Sequence, residues 1–264
     1  MEQLVNKILS GDKNALATLV KDIQNNIFNL SLRFLWNKED AEDATQEILI
    51  KIITNLAKFE GKSKFTTWVY RISVNHLMNL KKNKLEEQLN FPRFGQDLNN
   101  GLQSPSYDSP DQDLLAEEVK IGCTLGMLIC LDRSLRIAYI LGEVFELKSD
   151  EAATILNITR ENYRKRLSNA RILLKRFMRS YCGLTNKSNA CRCDKRINYA
   201  ISEGRVNKGA LKFVSSGTLM GSKTEMEKLY STSAIFKSHP SYASDHTKSD
   251  EMLNIISRMK NLLV

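Results

Sequence analysis

Hydrophobic side chains recur every three or four residues along most of the chain, a spacing typical of amphipathic helices. In the first 85 residues this spacing predicts three helices, which end near residues 36, 59 and 82. A polar residue able to accept hydrogen bonds from the first turn lies at the start of each one, namely Asp12 or Asn14, Asn37 or Asp40, and Ser63. The pattern predicts an all-α fold.

The second predicted helix has two unlike sides. Its apolar side faces a core and comprises Ile48, Leu49, Ile52, Leu56 and Phe59. On the other side Asp43, Gln46 and Glu47 lie together, and Ile50 lies among them. A polar cluster around one exposed aliphatic residue is either a docking face for another protein or an ordinary solvated helix side. The pattern alone leaves both interpretations open.

The pattern of residues 132–178 predicts a helix-turn-helix that is preceded by a further helix. A helix over 134–145 precedes a short helix over 149–156, a turn at Asn157, Ile158 and Thr159, and a long helix over 160–178. One side of the long helix is apolar and packs inward, through Tyr163, Leu167, Ala170, Leu174 and Phe177. The other side carries polar and cationic groups suited to base edges and phosphates, namely Arg160, Glu161, Arg164, Lys165, Ser168, Asn169 and Arg171. A DNA-binding helix is therefore expected here.

Composition and charge extend this interpretation. The 264 residues include only 12 Gly and 4 Pro, too few turn residues for a many-stranded sandwich or barrel. A net charge of +9 indicates a polyanionic partner. This charge is unevenly distributed, because residues 51–84 and 159–181 are basic whereas residues 36–50 and 86–118 are acidic.

The acidic stretch also suggests how the chain divides. Residues 86–112 contain three of the four prolines and show little helical periodicity, which indicates a flexible acidic linker. We expect helical domains at 1–85 and 113–181 on either side of it, followed by an extension over 182–264. Within the extension, residues 218–237 and 249–263 have helical periodicity and are expected to pack on the preceding domain or on a partner.

The remaining chemistry lies in the cysteines. No apolar run approaches the roughly 18 residues of a membrane span, and the N-terminal segment lacks a signal-peptide pattern, so we expect a cytoplasmic protein with no membrane partner. Five cysteines in a reducing compartment argue against a disulfide framework. Cys182, Cys191 and Cys193 could bind zinc with a fourth ligand such as His239, His246 or Cys123, could respond to redox state, or could be plain structural residues. No other cofactor is expected.

Two motifs resemble one known family. The string Asp40-Ala41-Glu42-Asp43-Ala44-Thr45-Gln46-Glu47, followed by Phe65-Thr66-Thr67-Trp68-Val69-Tyr70-Arg71-Ile72 and Asn75, resembles the second conserved region of bacterial RNA polymerase sigma factors of the extracytoplasmic-function (ECF) type. Residues 150–156 and 164–171 resemble the fourth region of that family, a helix-turn-helix. The extension beyond the helix-turn-helix, with Cys182-Gly183-Leu184, Cys191-Arg192-Cys193 and Ser238-His239-Pro240, resembles a subgroup of the family with a C-terminal tail.

The resemblance implies a role for each charged face. Asp43, Gln46 and Glu47 would bind the clamp helices of the polymerase largest subunit, with Ile50 as an apolar contact. The basic block, residues 51–84, would bind the minus-ten promoter element and help to melt it. Lys58, Lys62 and Lys64 would contact the DNA backbone, and Trp68, Arg71 and Asn75 would contact the flipped base. The helix-turn-helix would bind the minus-thirty-five element. Partners would then be core polymerase, duplex and melted promoter DNA, and an anti-sigma protein unless the extension replaces it.

Two departures and two alternatives accompany the resemblance. Leu131 is followed by Asp132 where many members have Leu-Pro, and the turn has Asn157 where Gly is common, although Asn tolerates the left-handed conformation. A stand-alone helix-turn-helix regulator would explain the basic helix but not the Asp43 face. An enzyme is not expected, because the chain lacks a metalloprotease motif, a phosphate-binding Gly loop and a nucleophile elbow.

Overall fold

The computed structural model describes residues 2–214 and 231–244. The chain forms two compact units that do not follow chain order. Among the described residues, the first comprises 2–81, 148–162 and 241–244, and the second comprises 82–147, 163–214 and 231–240. The structure thus groups the chain differently from the consecutive domains expected from the sequence. Within the described residues there is no β-strand beyond a single bridge between Cys182 and Cys191.

The described residues of the first unit form five α-helices. They are α1 (Glu2–Leu9), α2 (Lys13–Leu35), α3 (Lys38–Thr54), α4 (Phe65–Asn79) and α9 (Ser149–Leu156). The predicted caps form at two of them, because the Asp12 carboxylate accepts the N–H groups of Asn14 and Ala15, and the Asn37 side chain accepts that of Asp40. Helix α3 ends at Thr54 rather than at the predicted residue 59, and a short 3-10 turn over Leu56–Lys58 follows it.

The core of the first unit lies between α2 and α3. Helix α2 is buried along most of its C-terminal half, and the facing aliphatic residues of α3 are the ones that the helical pattern predicted. Ile48, Leu49, Ile52 and Leu56 are all fully buried. Helix α4 packs on α3 and contributes Phe65, Val69 and Val74 to the same core. The polar side of α3 is thereby directed outward.

A segment from the distant end of the chain, residues 241–244, also belongs to the first unit. The Asn29 side chain accepts the backbone N–H of Tyr242 (3.0 Å) and donates to its carbonyl (2.7 Å). The Asn25 side chain accepts the N–H of Ser244 (3.0 Å), and the Ser244 hydroxyl donates to Glu42 (2.7 Å). These residues form a polar groove on α2 and α3 that holds the segment through its backbone.

The second unit contains the remaining helices of the described chain. They are α5 (Lys84–Gln88), α6 (Phe91–Asn100), α7 (Gln112–Ile129), α8 (Arg133–Tyr139), most of α10 (Arg160–Tyr181), α11 (Ile197–Ser202) and α12 (Thr232–Lys237). The guanidinium of Arg136 is buried at the C-terminal end of α7. It donates to the carbonyls of Leu128, Ile129 and Leu131, at and just beyond the last turn of that helix.

The segment predicted to be a flexible acidic linker is instead folded in its first part. Residues 84–103 form α5, α6 and a 3-10 turn, and Phe94 and Leu98 are buried. The Glu86 carboxylate pairs with Arg133 (2.6 Å) and Arg136 (3.0 Å), two residues distant in sequence. The prediction of flexibility is wrong for this stretch, because its acids find partners that local composition does not show.

A second acidic residue of the same stretch is held in the same way. Asp97 accepts hydrogen bonds from Arg196 (3.2 Å), Tyr199 (2.9 Å) and Arg205 (2.6 Å). Burial alone would raise the pKa of Asp97, but the hydrogen bonds and charges of these partners outweigh it and lower the pKa. The acidic segment is thus attached to the part of the chain that follows α10.

The predicted helix over 134–145 forms in two parts. Helix α8 continues into a π-helical turn over Ile140–Val144, where Gly142 lies against Tyr163 and Leu167 of α10. The Tyr163 hydroxyl donates to the carbonyl of Ala138 (3.3 Å). The wider turn and the missing side chain at residue 142 together make room for the large ring of Tyr163.

The described residues of the extension up to Pro240 belong to the second unit. Phe236 of α12 is buried edge-on against Tyr139, with ring centroids 5.2 Å apart. Upstream of it, the buried Glu118 carboxylate accepts the backbone N–H groups of Lys212, Phe213 and Val214. Most of the helix predicted over 218–237, and all of that over 249–263, lie outside the described residues. No helix in the described part of the chain is long and apolar enough to cross a bilayer.

Candidate nucleic-acid interface

The polar face of α3 is exposed as a contiguous surface. Asp43, Glu47 and Ile50 are exposed, Gln46 is half-buried, and 42% of Ile50 is accessible. Their placement follows from the fully buried Ile48 and Leu49 on the opposite side of the same helix. The structure therefore brings together all four residues predicted for protein docking. We refer to them as the α3 face.

A histidine lies beneath the α3 face. His76 of α4 is buried, and its Nδ1 lies 2.6 Å from the ammonium of Lys51. Its Nε2 lies 3.6 Å from the Glu47 carboxylate. Burial lowers the pKa of His76, the positive charge of Lys51 lowers it further, and Glu47 only partly offsets the two. His76 is accordingly a neutral core residue near neutral pH.

The basic block contributes cations and one aromatic cluster. Lys58, Lys62 and Lys64 are exposed, and Lys62 pairs with Glu60. Trp68 is half-buried against the rings of Phe59 and Phe65, at centroid distances of 5.5 and 5.7 Å. Part of the indole therefore packs in the core, and the rest is accessible.

The two remaining residues predicted for the minus-ten element differ in their surroundings. Asn75 is exposed on α4. Arg71 is half-buried, and its Nη2 donates to the carbonyl of Thr154 in α9 (3.0 Å). This contact could not be predicted from local sequence, because Arg71 and Thr154 are 83 positions apart in the chain.

The turn before α10 has the conformation that Asn157 allows. Asn157 is in the left-handed region, at φ 52° and ψ 46°, and ends α9. The Thr159 hydroxyl then accepts the N–H of Asn162 (3.2 Å) and caps the start of α10. A helix, a tight turn and a helix therefore form at the predicted positions.

The two sides of α10 separate as the sequence predicts. Its apolar side is buried, comprising Tyr163, Leu167, Ala170, Leu174 and Phe177. Its other side is exposed at every predicted DNA-binding position, comprising Arg160, Glu161, Arg164, Lys165, Ser168, Asn169 and Arg171. We refer to this second set as the α10 face.

Two arginines of the α10 face have acidic partners that the sequence analysis missed. Arg171 donates to Glu143 of the π-helical turn through Nε (2.7 Å) and Nη2. Arg160 pairs with Asp150 of α9 (3.0 Å). Glu143 is almost fully buried, so its carboxylate holds the exposed Arg171 side chain in one orientation. No local motif in the sequence marks Glu143 as such a residue.

Three of the cysteines, Cys123, Cys182 and Cys191, lie near one another, but the described residues do not form a metal-binding arrangement there. Cys123 lies near Cys182 and Cys191, and burial together with these neighbours raises the pKa of its thiol. Burial also raises the pKa of Cys191 to about 11. In the described part of the chain, no three His, Cys, Asp or Glu residues are arranged to hold a metal ion. His239, one possible fourth ligand, hydrogen-bonds Thr124 (2.6 Å), and His246 lies outside the described residues. Zinc binding by Cys182, Cys191 and Cys193 stays a prediction.

Comparison with known proteins shows which family the chain resembles. Residues 19–84 match the family model for sigma-70 region 2. The chain is 30% identical over 174 residues to the RNA polymerase sigma-H factor of Pseudomonas aeruginosa, covering 64% of this chain and 89% of that protein. It is 28% identical to the ECF RNA polymerase sigma-E factor of Haemophilus influenzae, covering 66% of this chain and 93% of that one.

The chain belongs to the ECF RNA polymerase sigma factors. A third relative, the factor SigW of Bacillus subtilis, is 29% identical over 189 residues, covering 68% of this chain and 99% of that protein. The solved structure of CnrH in complex with the cytosolic domain of CnrY aligns with a TM-score of 0.49 and 18% identity, over 67% of this chain and 96% of that one. The sigma factor thus acts in transcription initiation, and about a third of it extends beyond each alignment with these relatives.

Proposed function

We propose that this sigma factor uses the α3 face to bind core RNA polymerase and two separate helical surfaces to bind promoter DNA. The α3 face, as defined by Asp43, Gln46, Glu47 and Ile50, would meet the clamp helices of the largest subunit. The observation that carries this proposal is that these four residues form one accessible patch on a helix whose other side is fully buried. An acidic patch with a central aliphatic side chain suits a basic, partly apolar helical partner.

The DNA contacts divide between α4 and α10. Lys58, Lys62 and Lys64 would contact the phosphates of the melted minus-ten element, and Trp68, Arg71 and Asn75 would contact its bases. The α10 face would enter the major groove at the minus-thirty-five element, with the Thr159 cap setting the start of the helix. The polymerase supplies the nucleotidyl-transfer chemistry, and the sigma factor itself provides recognition.

A direct test separates polymerase binding from DNA binding. The double substitution Asp43→Ala with Gln46→Ala in the full chain should weaken association with purified core polymerase by at least tenfold, since it removes central polar contacts of an interface. Binding of the same variant to upstream duplex DNA should be unchanged. Association is measured by the fluorescence of a labelled sigma factor, and promoter use by run-off transcription on genomic fragments.

A matched control exists on the same helix. Lys38→Ala removes one exposed charge from the first turn of α3, about 120° or more around the helix axis from Asp43, Glu47 and Ile50. It should leave core association within about twofold of the wild type. Equal losses in the control and in the double variant would contradict the assignment of the docking face. A wild-type chain that yields no specific transcript with core polymerase would contradict the proposed function as a whole.

A further inference from the structure

Helix α12 of the extension is fixed on the second unit at both of its ends. At its start, the Ser231 hydroxyl accepts a backbone N–H of the first turn (3.1 Å) and caps the helix. Near its end, Phe236 is fully buried and the helix contacts the π-helical turn. Just beyond it, the buried His239 hydrogen-bonds Thr124 of α7 (2.6 Å). The position of Lys237, the last residue of α12, is therefore set by buried neighbours on either side.

The side chain of Lys237 is paired with a carboxylate at the end of the π-helical turn. Its ammonium donates to Glu146, whose side chain is 67% exposed. Glu146 has a left-handed backbone, at φ 54°, which few residues other than glycine adopt. The N–H of Leu147 donates to the carbonyl of Leu141 (3.0 Å) and closes the turn around this residue. The fold thus holds Glu146 in an unusual conformation at the surface, where it meets a cation of the extension.

The same π-helical turn holds an arginine of the α10 face. Its Glu143 accepts a hydrogen bond from Arg171 Nε (2.7 Å), so two neighbouring carboxylates pair with one cation of α10 and one of α12. The hydrogen bond to Glu146 raises the pKa of Lys237, the negative charge of Glu143 also raises it, and the positive charge of Arg171 lowers it. Lys237 is therefore a charged ammonium within electrostatic reach of Arg171.

Both cations are accessible from solvent in spite of their acidic partners. The exposed fraction is 55% for the Arg171 side chain and 42% for the Lys237 side chain. A lysine ammonium has three N–H donors, so Lys237 can donate to a phosphate while it keeps its hydrogen bond to Glu146. The same pairing neutralises a carboxylate that would otherwise repel a DNA backbone beside Arg171.

We propose that the extension is part of the surface that binds duplex DNA, and that Lys237 of α12 contacts a phosphate beside Arg171 of the α10 face. This inference rests on the proposed function of α10. Cations that lie beside the base-reading positions of a major-groove helix suit the phosphates that line the groove. The Lys237 contact adds affinity without sequence preference, because the phosphate group is the same at every base pair.

The experiment compares two exposed lysines of the extension. Lys237→Gln removes the proposed contact, whereas Lys195→Gln makes the same charge change close to Cys191, which forms a bridge with Cys182 just past the C-terminal end of α10. Binding of the full-length protein to a fluorescein-labelled pool of random duplexes of about 20 base pairs is followed by anisotropy between about 50 and 200 mM salt. Relative to Lys195→Gln, Lys237→Gln should bind about three- to tenfold more weakly at the lowest salt and lower the salt slope by about 1. Equal affinities and slopes in the two variants overturn the inference.

A second comparison separates a contact with DNA from a merely neutralising role. In a Glu146→Gln protein Lys237 has no carboxylate to neutralise, so Lys237→Gln should still lower the salt slope by about 1 if its ammonium contacts a phosphate. If Glu146→Gln abolishes the effect of Lys237→Gln, the phosphate contact is overturned. Where Lys237→Gln lowers the melting temperature, acetylation of the wild-type protein followed by mass spectrometry decides instead. The duplex pool should then protect Lys237 and leave Lys195 reactive, and equal reactivity of Lys237 with and without DNA contradicts the contact.

Failure of the inference and failure of the proposed function give different results. Lys165→Gln changes one lysine of the α10 face and should weaken binding to the same pool by at least about threefold relative to Lys195→Gln. If it does so while Lys237→Gln equals Lys195→Gln, the inference is overturned and the role of α10 stands. If Lys165→Gln also equals Lys195→Gln, the proposed role of α10 is itself overturned.

Discussion

Helices α4 and α10 both carry side chains predicted to contact promoter DNA, but they present them differently. On α10 every predicted position is exposed, while the opposite side is buried. On α4 Asn75 is exposed, Trp68 packs against two phenylalanines, and Arg71 donates to α9. A helical wheel assigns the exposed and buried sides of α10 as observed. It contains no information about which face a distant part of the chain will cover.

The largest effect is expected on DNA binding by α10. Arg164→Ala or Lys165→Ala should weaken binding to an upstream promoter duplex by about 1 to 3 kcal/mol if the side chain reads a base, and less if it contacts only phosphate. The duplex is one selected by run-off transcription, and binding is measured by anisotropy against a scrambled duplex. Arg179→Ala, also an exposed arginine of α10 but outside the α10 face, serves as the control. An equal loss in the control would reduce the α10 face to a non-specific cationic surface.

A second prediction concerns how α10 is held in place. A methyl group at Gly142 would clash with the Tyr163 hydroxyl and with Leu167, two buried residues of the apolar side of α10. Gly142→Ala should lower the free energy of unfolding by about 1 to 3 kcal/mol, a typical result of overpacking. The measurement is thermal or urea denaturation followed by circular dichroism.

A matched glycine on α7 provides the control for this substitution. A methyl group at Gly122 would lie 3.6 Å from Phe213, an ordinary contact distance. Gly122→Ala should be neutral or stabilising by up to about 1 kcal/mol, because alanine favours helices. If Gly122→Ala loses as much stability as Gly142→Ala, the loss at residue 142 does not come from a clash with Tyr163 and Leu167.

The smallest effect is expected from pH, and it applies to α4 and not to α10. The pKa of His76 is lower in the folded state than its ordinary value of 6.5, so the unfolded chain binds more protons as the pH falls through that value. The contribution of His76 to stability is therefore fully present above about pH 6.5 and is lost as the pH falls below it. His76→Gln should reduce the loss of stability between pH 7.5 and pH 5.5. An unchanged pH dependence in this variant would mean that His76 is not the group responsible.

Local structure was largely predictable because it depends on neighbouring residues. Asp12 and Asn37 cap their helices as expected, and Asn157 adopts the left-handed conformation that ends α9. The exposed positions of α10 and of the α3 face follow from helical periodicity and from the burial of the opposite sides. These features need only a few consecutive residues and a helix.

The features that were not predictable depend on partners far away in the chain. Glu86 and Asp97 looked like solvated linker residues because their arginine partners lie between 47 and 108 positions away. The α5 and α6 helices are too short to show clear periodicity, which also favoured the prediction of a flexible segment. The Glu143 partner of Arg171 and the Glu151 partner of Thr67 escaped notice for the same reason.

The groove on α2 and α3 sets an order of events when the protein is made. Asn29 leaves the ribosome early, whereas Tyr242, whose backbone it holds through two hydrogen bonds, follows 213 residues later. At typical rates of about 5 to 20 residues per second, this interval lasts on the order of 10 to 40 seconds. During synthesis water must therefore occupy the place of residues 241–244 on α2. The first unit reaches its final form only after nearly the whole chain has been translated.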